Sequence, residues 1–325
     1  MLWRLVTMGV LLGLALGLVP GRTWALSLRL LFAQGSAGAL ALLDLASGEL
    51  LRIAVGPVTH GVDVLPQRAR AYAASFGSTA AAVVDLQRWQ AVKQIEVGGL
   101  SHHVAASPDG RWVYVTVGST HRVAVLDAQR ETLVATIPVG KAPVYTVWAP
   151  DGRLAYVSSM QAQSISVIDT AQRQVVRTIP VGGMPDHLAL TPDGQTLFVA
   201  NRGANAVNVV DTRRAEVVAT IPVGQAPHGI AVGVREGRTL VYVGNRGEQS
   251  LSIIDAARRA VVATVPLGVS PEHLTMAPDH TALYIGSLPA RSLLVFDTKR
   301  EEVTRRFDVG GEIHQIAVWQ GRGQR

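Results

Sequence analysis

One apolar-glycine pair closes the same pattern seven times along the chain. Its glycine falls at Gly56, Gly98, Gly140, Gly182, Gly224, Gly268 and Gly310, in steps of 42, 42, 42, 42, 44 and 42 residues. An aspartate keeps the same beat at Asp44, Asp85, Asp127, Asp169, Asp211, Asp255 and Asp297. Within the clearest copy, residues 183–224, four short β-patterned runs stand at 187–190, 197–200, 207–210 and 217–223. Turn chemistry separates them: Thr191-Pro192-Asp193-Gly194, Asn201-Arg202-Gly203 and Asp211-Thr212. Four strands repeated every ~40–50 residues is the signature of propeller blades.

The ends of the pattern say how the ring closes. Residues 28–56 supply three strands with no inner strand before them, and six full units follow from 57 to 310. Residues 312–319, EIHQIAVW, then read as an inner strand without partners. Joining the two ends makes a seventh blade and removes the open sheet edges. The expected fold is therefore all-β: a seven-bladed propeller of four-stranded antiparallel blades, spanning 26–320, with a tail at 321–325. In each blade the strands are lettered A (innermost) to D (outermost). Proline cannot donate to a ladder, so Pro138, Pro180, Pro222 and Pro266 place D on the rim. Aromatic residues are 5% of the chain against 48% hydrophobic residues, so Val, Ile, Leu and Ala are expected to fill the blades.

Residues 1–25 read as a secretory signal: Arg4, an apolar run at 5–19, Pro20-Gly21, then Thr23-Trp24-Ala25. An uncleaved anchor is the alternative, although the run is short for a ~20-residue span. The chain has no cysteine, which excludes a lipoprotein anchor, disulfides, a thiolate metal site and a cysteine nucleophile. The formal charge of +6 falls to +4 (6 − 2) once Arg4 and Arg22 are removed. Basic residues follow most of the repeat aspartates, but no aromatic residues are interleaved with them. Specific nucleic-acid binding is not expected.

Units such as SPDGRWVYVTVGSTHRVAVLDAQRETLVATIPVG resemble the YVTN-repeat β-propeller family over about residues 28–319. The resemblance implies a seven-bladed propeller, exported by bacteria to the periplasm or cell surface. It implies no single activity, since relatives include quinoprotein amine dehydrogenases, nitrous oxide reductase and 6-phosphogluconolactonase.

The best chemical signal lies in the D–A loops. Four residues beyond each closing glycine stand His60, His102, Val144, Asp186, His228, Glu272 and His314. One residue further on stand Gly61, His103, Tyr145, His187, Gly229, His273 and Gln315. Strand alternation is expected to send the two sets to opposite sides. The first set would converge on the channel mouth, and the second would turn toward the neighbouring blade. His314, His60 and His102 fall on consecutive blades and form a three-imidazole set suited to zinc or copper. Arg202 and Arg246 come from B–C loops on the same face. The alternative is that these histidines bond backbone between blades. No G-x-S-x-G elbow or phosphate loop is present.

The leading expectation is an exported, monomeric, non-enzymatic propeller. It would offer its channel mouth to a protein or small ligand and keep no membrane span after signal cleavage. The second is a metal-binding propeller or a lactonase-like metal-dependent hydrolase at that mouth. Intact-mass analysis of protein from its own host should show a chain beginning at Leu26. A full-length cytoplasmic product would refute export.

Overall fold

The computed structural model describes residues 28–320, so the expected signal segment and the 321–325 tail lie outside the described residues. Seven four-stranded antiparallel sheets surround one axis. The first is composite. Ile316–Gln320 is its inner strand, followed outward by Leu28–Gln34, Ala39–Asp44 and Leu50–Ala54. Its closing register runs from Leu28 opposite Gln320 to Phe32 opposite Ile316. The inner strand is shorter than the 312–319 expected, but His314 N still donates to Ala33 O, so the approach to it is also tied down.

The inner strands of blades two to seven are Thr59–Leu65, Ser101–Ala106, Pro143–Trp148, Pro185–Leu190, Pro227–Arg235 and Pro271–Met276. The D-strand prolines are exposed at strand ends. The A–B turns follow their sequence: Gly110, Gly152 and Gly194 all sit near φ +70°. Asp109 Oδ1 accepts from Arg111 N across the turn. The repeat aspartates are turn formers, as Asp85 shows by accepting from Gln87 N and Arg88 N at 2.9 Å each.

The blades pack face to face on Val, Ile, Leu and Ala, with one addition. Strand B carries a buried ring in six blades: Tyr72, Tyr114, Tyr156, Phe198, Tyr242 and Tyr284, each no more than 3% exposed. The first blade has Leu31 at this register, opposite Leu42. Low overall aromatic content conceals this series, because its members are concentrated at one repeat position. Among the described residues, no helix is long and apolar enough to cross a membrane.

Closure carries the fold. Ile313, Ile316 and Trp319 are each at most 4% exposed. Large apolar side chains contribute ~1.5–3 kcal/mol each on burial, so losing three rivals a typical whole-domain stability of ~5–15 kcal/mol. Deleting residues 312–325 should therefore abolish soluble folded protein. The milder Ile316→Ala change should cost ~2–5 kcal/mol. Thermal and urea unfolding check both, and a truncated chain melting like the parent would disprove closure.

Candidate functional site

The inner strands enter from the D–A loops, and there the ladder is irregular. In blade three, Ser101 pairs with Val117 and Val104 with Val115, so His102 and His103 face Thr116 alone. Blade five has the same break at Asp186 and His187, blade six at His228 and Gly229, and blade seven at Glu272 and His273. Two residues opposing one is a β-bulge, and a bulge re-aims side chains. The amide left over is taken by a strand-B hydroxyl: His103 N donates to Thr116 Oγ1, and Tyr145 N to Ser158 Oγ.

This bulge overturns the expected alternation. His103, His187 and His273 do not turn away toward the neighbouring blade. They meet Tyr145 inside the channel, one layer below the mouth. The ring centroids of His103 and Tyr145 are 3.7 Å apart, those of Tyr145 and His187 4.3 Å, and those of His187 and His273 5.2 Å. Tyr145 and His273 lie three blades apart, yet Tyr145 Oη and His273 Nε2 are 3.3 Å apart. The channel is plugged by aromatic side chains. Gly61 and Gly229 stand in this layer where the blades come too close, since a Cβ on Gly61 would lie 2.7 Å from His102 O, and Gln315 instead bonds to Val62 N and Val104 O.

Above the plug, the expected mouth residues gather in two groups. His60 stacks on both His102 and His314, at 4.2 and 4.4 Å between centroids. Phe76, which the sequence reading did not single out, packs on His60 at 4.5 Å and on His102 at 4.8 Å. Across the mouth stand Asp186, His228 and Glu272, all buried. Val144 is buried too and leaves the gap in the polar ring that its side chain implies. Arg246 Nε lies 2.9 Å from Glu272 Oε2, and Arg202 Nη1 lies 3.8 Å from Asp186 Oδ2. Each carboxylate thus has its own arginine.

A shared hydrogen-bond habit sets the tautomers. His60 Nδ1 is 3.1 Å from His102 O, His187 Nδ1 is 3.1 Å from His228 O, and His228 Nδ1 is 2.8 Å from Glu272 O. A carbonyl only accepts, so Nδ1 carries the hydrogen in each. In the neutral ring Nε2 is then a bare lone pair, as in metal-ligating histidines held by backbone. The clasp between blades and readiness to ligate are therefore the same arrangement.

His228 Nε2 faces Asp186 Oδ2 at 3.5 Å and Glu272 Oε1 at 3.7 Å. Asp186 Oδ2 is buried without a hydrogen bond, whereas Glu272 Oε2 is held by the Arg246 ion pair. Among the described residues, one group brings its donor atoms within 4.8 Å of one another: Asp186, His187 and His228. His60, His102 and His314 are grouped by their rings rather than by such convergence of nitrogens. His187 belongs to the set that alternation had assigned to the other side.

Burial pushes His60 well below its ordinary range, and His102, His314 and His228 add to the effect. Burial takes His102 down to about 4, opposed by Asp186 from across the mouth. His314 is also lowered by burial, against the pull of Glu272 and Glu312. Within the plug, burial lowers His103 and His187 strongly and takes His273 to about 3. Each of these six rings is neutral near pH 7. A lowered pKa in the fold means that the unfolded chain takes up protons first. The stabilising contribution is thus complete above ~6.5 and is lost as pH falls toward the folded values. Each imidazole costs about 1.4 kcal/mol per pH unit below that point. The melting temperature should fall steeply from pH 6.5 to 4.5, and the combined change His60→Gln, His102→Gln and His314→Gln should about halve the slope. An unchanged slope would show that these rings already carry protons in the fold.

Residues 149–235 match the family model described as YNCE-like beta-propeller. No curated protein matches the sequence. Among solved structures, a chain of Kuenenia stuttgartiensis hydrazine synthase is similar, with a TM-score of 0.74 and 23% identity over 81% of this chain and 90% of that one. Dihydro-heme d1 dehydrogenase NirN is similar at a TM-score of 0.70 and 21% identity, over 86% of this chain and 63% of that one. A functionally unknown protein from Desulfotomaculum acetoxidans DSM 771 has a TM-score of 0.75 at 18% identity, covering 90% of this chain and 99% of that one. At such identities the likeness is one of fold. The seven closed sheets and the YNCE-like segment together identify the chain as a seven-bladed β-propeller protein.

Proposed function

We propose that this propeller is an exported, non-enzymatic binding protein that holds a divalent transition-metal ion of the zinc or copper class at its channel mouth. One observation carries the reading. His228 Nε2 faces two buried carboxylates, with Asp186 Oδ2 at 3.5 Å and Glu272 Oε1 at 3.7 Å, and Asp186 Oδ2 has no hydrogen bond. Carboxylates buried side by side around one imidazole need positive charge to offset their desolvation. Asp186, His187 and His228 are the proposed ligands. Mixed imidazole and carboxylate donors suit zinc and copper. Glu272 lies beside them, and the stacked His60, His102 and His314 line the approach. Binding is favoured over hydrolysis because both carboxylates already face arginines. Export rests on the leader-like 1–25 segment.

Equilibrium dialysis of the purified protein against micromolar Zn²⁺ or Cu²⁺, with metal analysis, tests the proposal. One equivalent should be retained at pH 7.5. Asp186→Asn or His228→Gln should weaken retention at least ~10-fold, by analogy with the loss seen when a ligand's support is removed. The combined His60, His102 and His314 change to Gln should weaken it less. No retention by the parent would return these histidines to the clasping of blades, and loss only in the triple variant would move the site to the stacked imidazoles.

A further inference from the structure

Below the aromatic plug the channel widens again into a cavity of about 380 Å³. That is near the small end of the ~300–1,000 Å³ range for ligand pockets. Its floor is the plug itself, with His103, Tyr145 and His273, and its walls reach Trp148 and Met276, the last residues of their inner strands. It therefore lies toward the A–B turns, at the opposite end of the channel from the mouth. Polar and apolar groups share the wall about equally, and Ala105 and Ala317 are among its small residues.

One carboxylate stands in that wall. Asp63 stands at a register where other blades have Ala105, Ala189, Ala231 or Thr275. Its Oδ1 accepts from Val64 N at 2.7 Å and its Oδ2 from Ala106 N at 2.8 Å. Two N–H groups occupy about half of a carboxylate's acceptor capacity. Among the described residues no lysine, arginine or histidine forms an ion pair with it. Joining blades does not require a charge here, since Thr275 Oγ1 makes the equivalent link by donating to Ile316 O.

The floor adds a second unmet group. Thr146 N donates to His103 Nδ1, so neutral His103 carries its hydrogen on Nε2. That Nε2 is buried and has no partner, and His103 is among the residues that line the cavity. Ile316 N likewise donates to His273 Nδ1, so His273 Nε2–H donates to Tyr145 Oη and leaves the phenol's own hydrogen unused. A lone carboxylate at the wall and an orphan N–H at the floor are two strand residues apart in level, about 7 Å along the channel.

We propose that this compartment binds a small monocationic amine: the ammonium pairs with Asp63, an apolar ring fills the alanine-lined walls, and an oxygen acceptor at the far end meets His103 Nε2–H. The site is independent of the metal reading at the mouth. Burial holds Asp63 up at about 6, opposed by the two backbone N–H donors. The other titratable groups facing it are His103, His273 and Tyr145. Burial keeps both histidines neutral and pushes the phenol upward, so Asp63 alone titrates between pH 5 and 7.5. The amine needs the carboxylate form, so affinity is complete above that pKa and falls about tenfold one unit below it.

Tyramine is the probe, with tyrosol, which lacks the amine, as control. Calorimetry on the full chain at pH 7.5 should show tyramine binding at least tenfold tighter than tyrosol. Asp63→Asn should remove that preference, while Asp186→Asn at the mouth should leave it intact. On the parent alone, tyramine affinity should drop about tenfold from pH 7.5 to 5, which decides the matter even if the Asp63 variant folds poorly. No tyramine binding at millimolar concentration, equal binding of tyrosol, or a flat pH profile would each overturn the assignment.

Discussion

Closing seven twisted sheets on one axis brings the inner strands of neighbouring blades nearer to each other than the outer strands of those blades. Everything at the channel follows from that crowding. A regular strand would aim every second side chain inward and turn the others into the seams between blades. Where the D–A loops enter, the seams leave little room for these others, as at Gly61, where an added Cβ would lie 2.7 Å from His102 O. The bulge resolves the conflict by aiming two successive residues at the axis, with a strand-B hydroxyl such as Thr116 taking the spare amide.

The same bulge marks the limit of what the sequence discloses. The period, the strand order, the rim prolines and the composite blade are all legible, because each rests on local turn chemistry or on an unpaired strand seeking partners. The gathering of His60, His102, Asp186, His228, Glu272 and His314 at one mouth is legible as well, since equal repeat positions must meet on a common axis. The role of His103, His187 and His273 is not, because a bulge leaves no residue type as its mark and period-2 reasoning runs straight through it. The six buried strand-B rings were hidden for a different reason: composition averages over a chain, whereas packing selects one register. Asp63 was passed over because a lone acid at an otherwise alanine register carries no motif.

The bulged layer also divides the channel by chemistry. On one side, neutral imidazoles and arginine-matched carboxylates form a polar mouth whose donors are fixed by backbone carbonyls of the next blade. On the other, one acid without an ion pair stands in a wall of mixed apolar and polar residues, from Ala105 and Trp148 to Thr275 and Gln315. Tyr145 and His273, three blades apart but in contact, seal the two from one another. A propeller is often treated as a scaffold with a single functional end. Here each end has its own unmet polar groups.

The closing pair has a mechanical side. Leu28 and Gln320 are register partners at the same end of an antiparallel pair, the end away from the histidine mouth. The described ring thus begins and ends at one corner, with Leu28 and Gln320 as its two points of attachment. Tension applied through both attachments would load the pair's ladder one rung at a time, as a zipper is opened, rather than all rungs together in shear. The strand that seals the ring is thus also the point at which pulling would open it with least force.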